Sequence, residues 1–196
     1  MIFNTELDNL IFNKHKEIDC DEFTVISGYL GLSAVERVKE LPLKTNIVYG
    51  MFNGAALNNN TALNRKNLKL SELNDSITNL DIYYSKNFQV HSKCYIWKKG
   101  GIPKYALAGS ANFSDSGLRN PYKETLVKIE NNLLGKIIEY EEIIFNNALK
   151  WDDLDFEYIE DDILEDDLTD CFLSWLDSRT GLTHNAHGVN WGQNSK

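Results

Sequence analysis

The sequence predicts an α/β fold, and three observations carry that expectation. Residues 22–51 run strand, short helix, strand, and a crossover of that length joins two parallel strands of one sheet in the right-handed sense. Residues 89–97 and 105–114 alternate and are rich in Val, Tyr, Ile, Trp and Ala, and the break between them at Gly100, Gly101 and Pro103 makes them a second pair of strands. Helical patterns occupy residues 5–16 and 133–151, outside this β-rich stretch. With 196 residues, 42% of them hydrophobic, the chain suffices for one domain with a real core, or one domain and the start of another.

In chain order, residues 5–16 form an amphipathic helix with Leu7, Leu10 and Ile11 on one face and Thr5 as N-cap. Residues 22–29 follow as a strand. Ser33 and Glu36 have the spacing of a capping box and start a helix that turns Val35, Val38 and Leu41 inward and stops at Pro42. Residues 45–51 are the next strand. Asn58, Asn59 and Asn60 form a loop, after which Thr61 caps a short helix carrying Arg65, Lys66 and Lys69. Residues 81–85 are a strand that turns at Lys86 and Asn87 into the centre of the chain, and residues 125–129 are a further run able to lie alongside the central pair. Between them, Ser114 to Gly117 cap a short helix or turn whose N–H groups suit a phosphate. In residues 133–151 the stripe of Leu134, Ile137, Ile138, Ile144, Phe145 and Leu149 is too broad for solvent, so this helix either covers the sheet or meets a second subunit.

The chemistry is concentrated between residues 89 and 124. Side chains two apart on a strand share a face, so His91 pairs with Lys93 and Ser110 with Asn112, while Glu124 opens the third run. Those five groups would converge on one end of a sheet. An imidazole with one free nitrogen is a nucleophile at neutral pH when a carboxylate holds its other nitrogen as N–H. A lysine charge and short donors from Ser110 and Asn112 would meet the extra negative charge on a five-coordinate phosphorus. Any one of these residues alone is ordinary; the ordered set is what points to phosphoryl transfer.

That set resembles the phospholipase D superfamily. His91-Ser92-Lys93 stands at its HxK motif, Gly109-Ser110-Ala111-Asn112 matches its GSxN motif, and Glu124 takes the place of its acidic member, twelve residues after the Asn. Where the typical motif has an Asp soon after the Lys, this chain has Trp97, Lys98 and Lys99; an acid after the Asn resembles the nuclease branch. Within that branch the likeness is to NgoFVII-type restriction endonucleases, whose N-terminal domain carries a single motif copy. It runs over residues 24–129, with a weaker likeness at 188–193.

The resemblance implies a mixed β-sheet flanked by helices on both faces, with one motif copy per chain. It further implies hydrolysis of double-stranded DNA through a covalent phosphohistidine, with no metal or other cofactor. Such a mechanism needs two histidines on opposite sides of the phosphorus, and His15, His184 and His187 lack the surroundings of His91. A homodimer with the active site on its two-fold interface would supply the second imidazole. Glu124 would orient the ring, with Lys93, Ser110 and Asn112 stabilising the phosphorane. Residues 188–193 look like the entry to a separate DNA-recognition domain, which divides the chain into a nuclease domain at 1–176 and a linker or domain start at 177–196. Two alternatives stay open: a phospholipid-processing enzyme, and a non-catalytic DNA-binding protein of the same fold.

The formal net charge of -9 runs against DNA binding, but it is local. Residues 152–170 hold eleven of the 29 acids and no base, which leaves 20 basic against 18 acidic residues elsewhere. That segment reads as the solvated face of an amphipathic stretch, or as an acidic mimic that occupies a DNA groove; the ligand spacing of a calcium loop is missing. Candidate phosphate contacts are Arg65, Lys66, Lys69, Lys98, Lys99, Lys104 and Arg119, and for the first three a merely solvated helix face is the competing reading. Cys20, Cys94 and Cys171 are too far apart for a zinc knuckle and are expected reduced and buried. His184 and His187 lack the further ligands zinc requires. There is no eighteen-residue apolar run and no signal-like start, so a cytoplasmic protein without membrane contact is expected.

Overall fold

A computed structural model of the chain describes residues 1–52, 61–153, 184–185 and 188–189. The chain divides into two compact units, residues 1–54 with 67–156 and residues 55–66 with 157–196. Its elements are β1 (Ile2–Phe3), α1 (Leu7–Asn13), β2 (Glu22–Ser27), α2 (Leu32–Glu36), β3 (Lys44–Tyr49), α3 (Thr61–Ser76), β4 (Leu80–Ser85), β5 (Lys93–Lys99), β6 (Ile102–Gly109), α4 (Asp115–Leu118), β7 (Leu126–Lys128), α5 (Leu134–Phe145) and β8 (Ala148–Leu149). In the second unit β9 (His184–Asn185) pairs antiparallel with β10 (Gly188–Val189).

The first unit is built on one eight-stranded mixed sheet in the order β1-β7-β6-β5-β2-β3-β4-β8. The expected crossover makes β2 and β3 parallel, a second one through α3 adds β4 parallel to β3, and β5, β6, β7 and β1 continue the sheet antiparallel beyond β2. Both edge strands are two residues long, which leaves little edge open to foreign strands. Lys99 and Ile102 pair across a two-residue turn in which Gly100 and Gly101 take φ of 55° and 76°, the left-handed pair that tight hairpins require.

Helices cover both faces. On one, Ile26, Val48 and Cys94 bury against Ile144 of α5, and Ile96 and Ala106 against Leu134. This decides the question about the last helix: α5 covers the sheet. Beneath it Lys98 Nζ lies 2.7 Å from Glu141 Oε1, which also accepts from Thr24 Oγ1 at 2.7 Å, with Glu22 3.4 Å from the same ammonium. On the opposite face Phe23 stacks on Trp97 at 4.8 Å, and Phe113 bridges Tyr95 to Phe12 of α1. Leu7, Ile11, Ala34 and Val35 of α1 and α2 are buried there too.

Several local expectations are corrected. Thr5 does not cap α1; Glu6 does, at φ 53° and without a side-chain bond. Ser33 lies inside α2, whose N-cap is Gly31, and its hydroxyl donates to Asp115 instead of closing a capping box. The helix seen in residues 133–151 ends at Phe145, because Asn146 and Asn147 turn the chain into β8. Pro103 does not separate the central strands: it sits inside β6 at a register shift, where a missing N–H is tolerated. Ser114 does cap α4, accepting from the Gly117 N–H at 3.2 Å. Cys94 is buried but Cys20 is only half-buried, and both are free. The loop at Asn58 to Asn60, the side chain of Thr61, Cys171, His187 and all of the acidic segment beyond Asp153 lie outside the described residues. Among the described residues no helix is long and apolar enough to cross a membrane.

Candidate active site

Ser27 pairs with Lys93, Lys93 with Gly109, and Gly109 with Leu126, so β2, β5, β6 and β7 all reach one level at a common row. The polar residues selected from the sequence lie at or just beyond it. Lys93 opens β5, with His91 two residues before it; Ser110 and Asn112 follow the end of β6, and Glu124 precedes β7 by two residues. The row also marks the carboxyl ends of the parallel strands, where open α/β sheets place their ligands. His91 and Asn112 are thus loop residues, carried by strands but not within them.

The contacts at this end are specific. Lys93 is buried, with 4% of its surface exposed, and its Nζ lies 3.1 Å from Nδ1 and 3.2 Å from Nε2 of His91. A point so close to both nitrogens must lie over the ring face, which leaves both nitrogens open in the ring plane. The same ammonium donates to the His91 carbonyl. Burial pushes the Lys93 ammonium below the usual lysine range, and the Glu124 charge opposes that shift. The exposed imidazole meets the Tyr29 ring edge-on at 6.1 Å. Gly28 lies against it as well: a Cβ there would stand 3.2 Å from His91 Cδ2.

Asn112 Oδ1 accepts from the Tyr29 N–H at 3.1 Å. Because that backbone group can only donate, it fixes the amide oxygen and turns the NH2 away, free to donate elsewhere. Ser110 Oγ accepts from the Thr125 N–H at 3.0 Å, and the Ser110 N–H donates to the Thr125 carbonyl at 2.9 Å. This tie holds the residue next to Glu124. It also explains Gly109, where a Cβ would fall 2.0 Å from the Thr125 oxygen. Glu124 is half-buried and within electrostatic reach of Lys93 and Tyr95.

Two supports escaped the sequence reading. Ser27 Oγ donates to the Tyr29 carbonyl at 2.7 Å and accepts from the Phe113 N–H at 3.0 Å, so it sets the loop that holds Asn112. Ser92, between the motif His and Lys, hydrogen-bonds to Tyr140 of α5. Nothing near Tyr140 in the chain announces this, since the partners are 48 residues apart.

The selected cations do not gather here. Lys98 is buried on Glu141 and is not available to a phosphate. Lys99 and Lys104 lie at the hairpin end of β5 and β6; at about 3.4 Å per residue Lys99 is roughly 20 Å from Lys93. Lys99 also pairs with Asp19 at 3.0 Å. Arg119 sits on the motif side, after α4, within 3.4 Å of Asp115 and 3.6 Å of Asp8. Lys69 is exposed on α3, beside a cleft it lines with Glu36 and Glu72. Arg65 and Lys66 are half-buried on the same helix.

Comparison with known proteins adds the following. The model of the NgoFVII restriction endonuclease N-terminal PLD domain matches residues 5–157. No curated protein matches the chain. Among solved structures, NucT from Helicobacter pylori is similar at 15% identity and a TM-score of 0.50, over 77% of this chain and 98% of that one. Nuc from Salmonella typhimurium, a phospholipase D family member, is similar at 12% identity and a TM-score of 0.45, over 73% and 90%. Polyphosphate kinase from Porphyromonas gingivalis is similar at 13% identity and a TM-score of 0.51, over 92% of this chain and 28% of its own. At these identities the likeness to NucT and to polyphosphate kinase is one of fold.

Proposed function

The chain belongs to the NgoFVII restriction endonuclease N-terminal PLD domain family, and from that premise we propose that it is a DNA phosphodiesterase acting through a phosphohistidine in a homodimer. The observation that carries the reading is the row from Ser27 through Lys93 and Gly109 to Leu126, with His91, Asn112 and Glu124 on the loops just beyond it. The reading takes residues 1–176 as the nuclease domain and 177–196 as the approach to a recognition domain.

In the first step an in-plane nitrogen of His91 attacks phosphorus and forms an N–P bond. The P–O bond to the leaving strand breaks, and that oxygen takes a proton from His91 of the second copy. Water then attacks the phosphohistidine, gives its proton to the second imidazole and releases the first, leaving a phosphate-ended strand. Lys93 and the Asn112 NH2 meet the charge on the phosphorane, and Ser110 has a hydroxyl hydrogen left to join them. Glu124 holds the attacking ring as the required tautomer. Reach of a second imidazole to the opposite side of the phosphorus requires a two-fold axis through the site. Supercoiled plasmid incubated with purified protein and EDTA should be cut, and the His91→Ala variant should leave it intact. Cleavage that needs added magnesium would reject the scheme.

A further inference from the structure

Three aromatic side chains are exposed among the described residues, Tyr29, Phe88 and Tyr122, and all three lie on the loops at the motif end of the sheet. Every other aromatic ring described is buried or half-buried. Tyr29 follows β2 and touches His91. Phe88 follows β4, three residues before His91, and its carbonyl accepts from Ser85 Oγ. Tyr122 precedes Glu124 by two residues, and its N–H donates to the Asn4 carbonyl at 2.7 Å, on the β1 side of the sheet. At about 4.8 Å between neighbouring strands, the row from β7 to β4 spans roughly 24 Å, with His91 inside it.

Tyr122 is 77% exposed and has φ of 63°, a left-handed backbone that a bulky side chain seldom adopts. A ring left mostly exposed on a strained backbone is at odds with a packing role. Exposed lysines stand beside two of the rings: Lys86 near Phe88 and Lys123 next to Tyr122. Meanwhile Lys98, Lys99 and Lys104 are buried or face the other end of the sheet. Among the described residues the motif end therefore offers flat apolar faces with few exposed cations beside them, Lys86, Lys123 and an Arg119 already held by Asp8 and Asp115, where a duplex phosphate grip would need many. Unpaired bases stack on such faces whatever their identity, and the stacked bases of a duplex do not reach them.

We infer that Tyr29, Phe88 and Tyr122 form a stacking rim around His91 that takes a nucleic-acid strand with unpaired bases, so that the strand reaches the site single or locally opened. The inference rests on the proposed DNA chemistry for its meaning, but binding tests it without cleavage. Fluorescence anisotropy with labelled oligothymidine and with a duplex of equal length should show the single strand bound at least tenfold tighter. Tyr122→Ala and Phe88→Ala should each weaken single-strand binding about tenfold, in keeping with the usual effect of removing one stacking ring, while Tyr122→Phe keeps it and duplex binding changes little. Equal or tighter duplex binding, or alanine variants that bind like the native chain, would overturn it. So would variants that turn monomeric in sedimentation with unchanged affinity per chain, because the rings would then belong to a subunit contact. Ring-dependent single-strand binding without cleavage would sink the hydrolase reading and leave this one standing.

Discussion

At the scale of single residues, the proposed chemistry depends on where Lys93 keeps its charge. The side chain is buried over the His91 ring, and burial favours the neutral amine, so its ammonium deprotonates below the usual lysine range. Charge that the proposed mechanism needs in its transition state is then lost as pH rises through that lowered value. The pH–rate profile should show an alkaline limb earlier than an ordinary lysine would give, and Lys93→Arg should push the limb upward even at a reduced rate; a limb unmoved by that change belongs to another group. Tyr140 hydrogen-bonds to Ser92, whose neighbours are the two motif residues, and under the proposed mechanism it would position them. Tyr140→Phe keeps the ring and removes one hydrogen bond, a loss of about 1 kcal/mol in stability. Its expected signature is a fall in kcat with KM nearly unchanged. Ser92→Ala should show the same fall, and the double variant should fall no further.

At the scale of elements, α5 is seated on the sheet by a buried ion pair as well as by apolar packing. Lys98 and Glu141 are 9% and 6% exposed, and the carboxylate also takes the Thr24 hydroxyl. Such a pair contributes little net stability, yet removing one partner strands the other charge. Glu141→Ala should cost about 3 kcal/mol in urea unfolding, whereas joint replacement by Glu141→Leu and Lys98→Met should come out near neutral. A near-neutral Glu141→Ala would mean that Glu22, 3.4 Å from the ammonium, compensates by itself. Element types were legible beforehand because strand alternation and helix periodicity are local. The end of α5 was not, because its apolar stripe continues through Ala148 and Leu149, which pair with Ser85 and Tyr84 as a strand. Pro103 misled for a related reason: alone it reads as a breaker, and only the shifted register with β5 shows where its missing N–H goes.

At the scale of the whole molecule, the proposed mechanism makes activity a property of two chains. Mixing native protein with a ninefold excess of His91→Ala and allowing exchange should lower activity per native chain roughly tenfold, since few native chains then meet another. Activity that tracks the amount of native chain alone would mean that each copy works by itself. The order of the sheet fits that proposal of one half-site per chain: β5, β6 and β7 occur once each, and the parallel strands β3 and β4 on the other side of β2 end in Tyr49 and Ser85, not in a second motif.

The sequence by itself determined the α/β class and the type and order of the main strands and helices, though not the ends of α5 and β6, and it singled out His91, Lys93, Ser110, Asn112 and Glu124 as the candidate group, because periodicity and motif spacing are written along the chain. The tertiary structure alone decided that His91 and Asn112 stand on loops, that Lys98 belongs to a buried pair with Glu141 and not to a DNA surface, and that the exposed rings share one end of the sheet. Those outcomes depend on which strand lies beside which and which helix crosses them. Contacts between residues 43 or 48 positions apart leave no mark in either partner's neighbourhood.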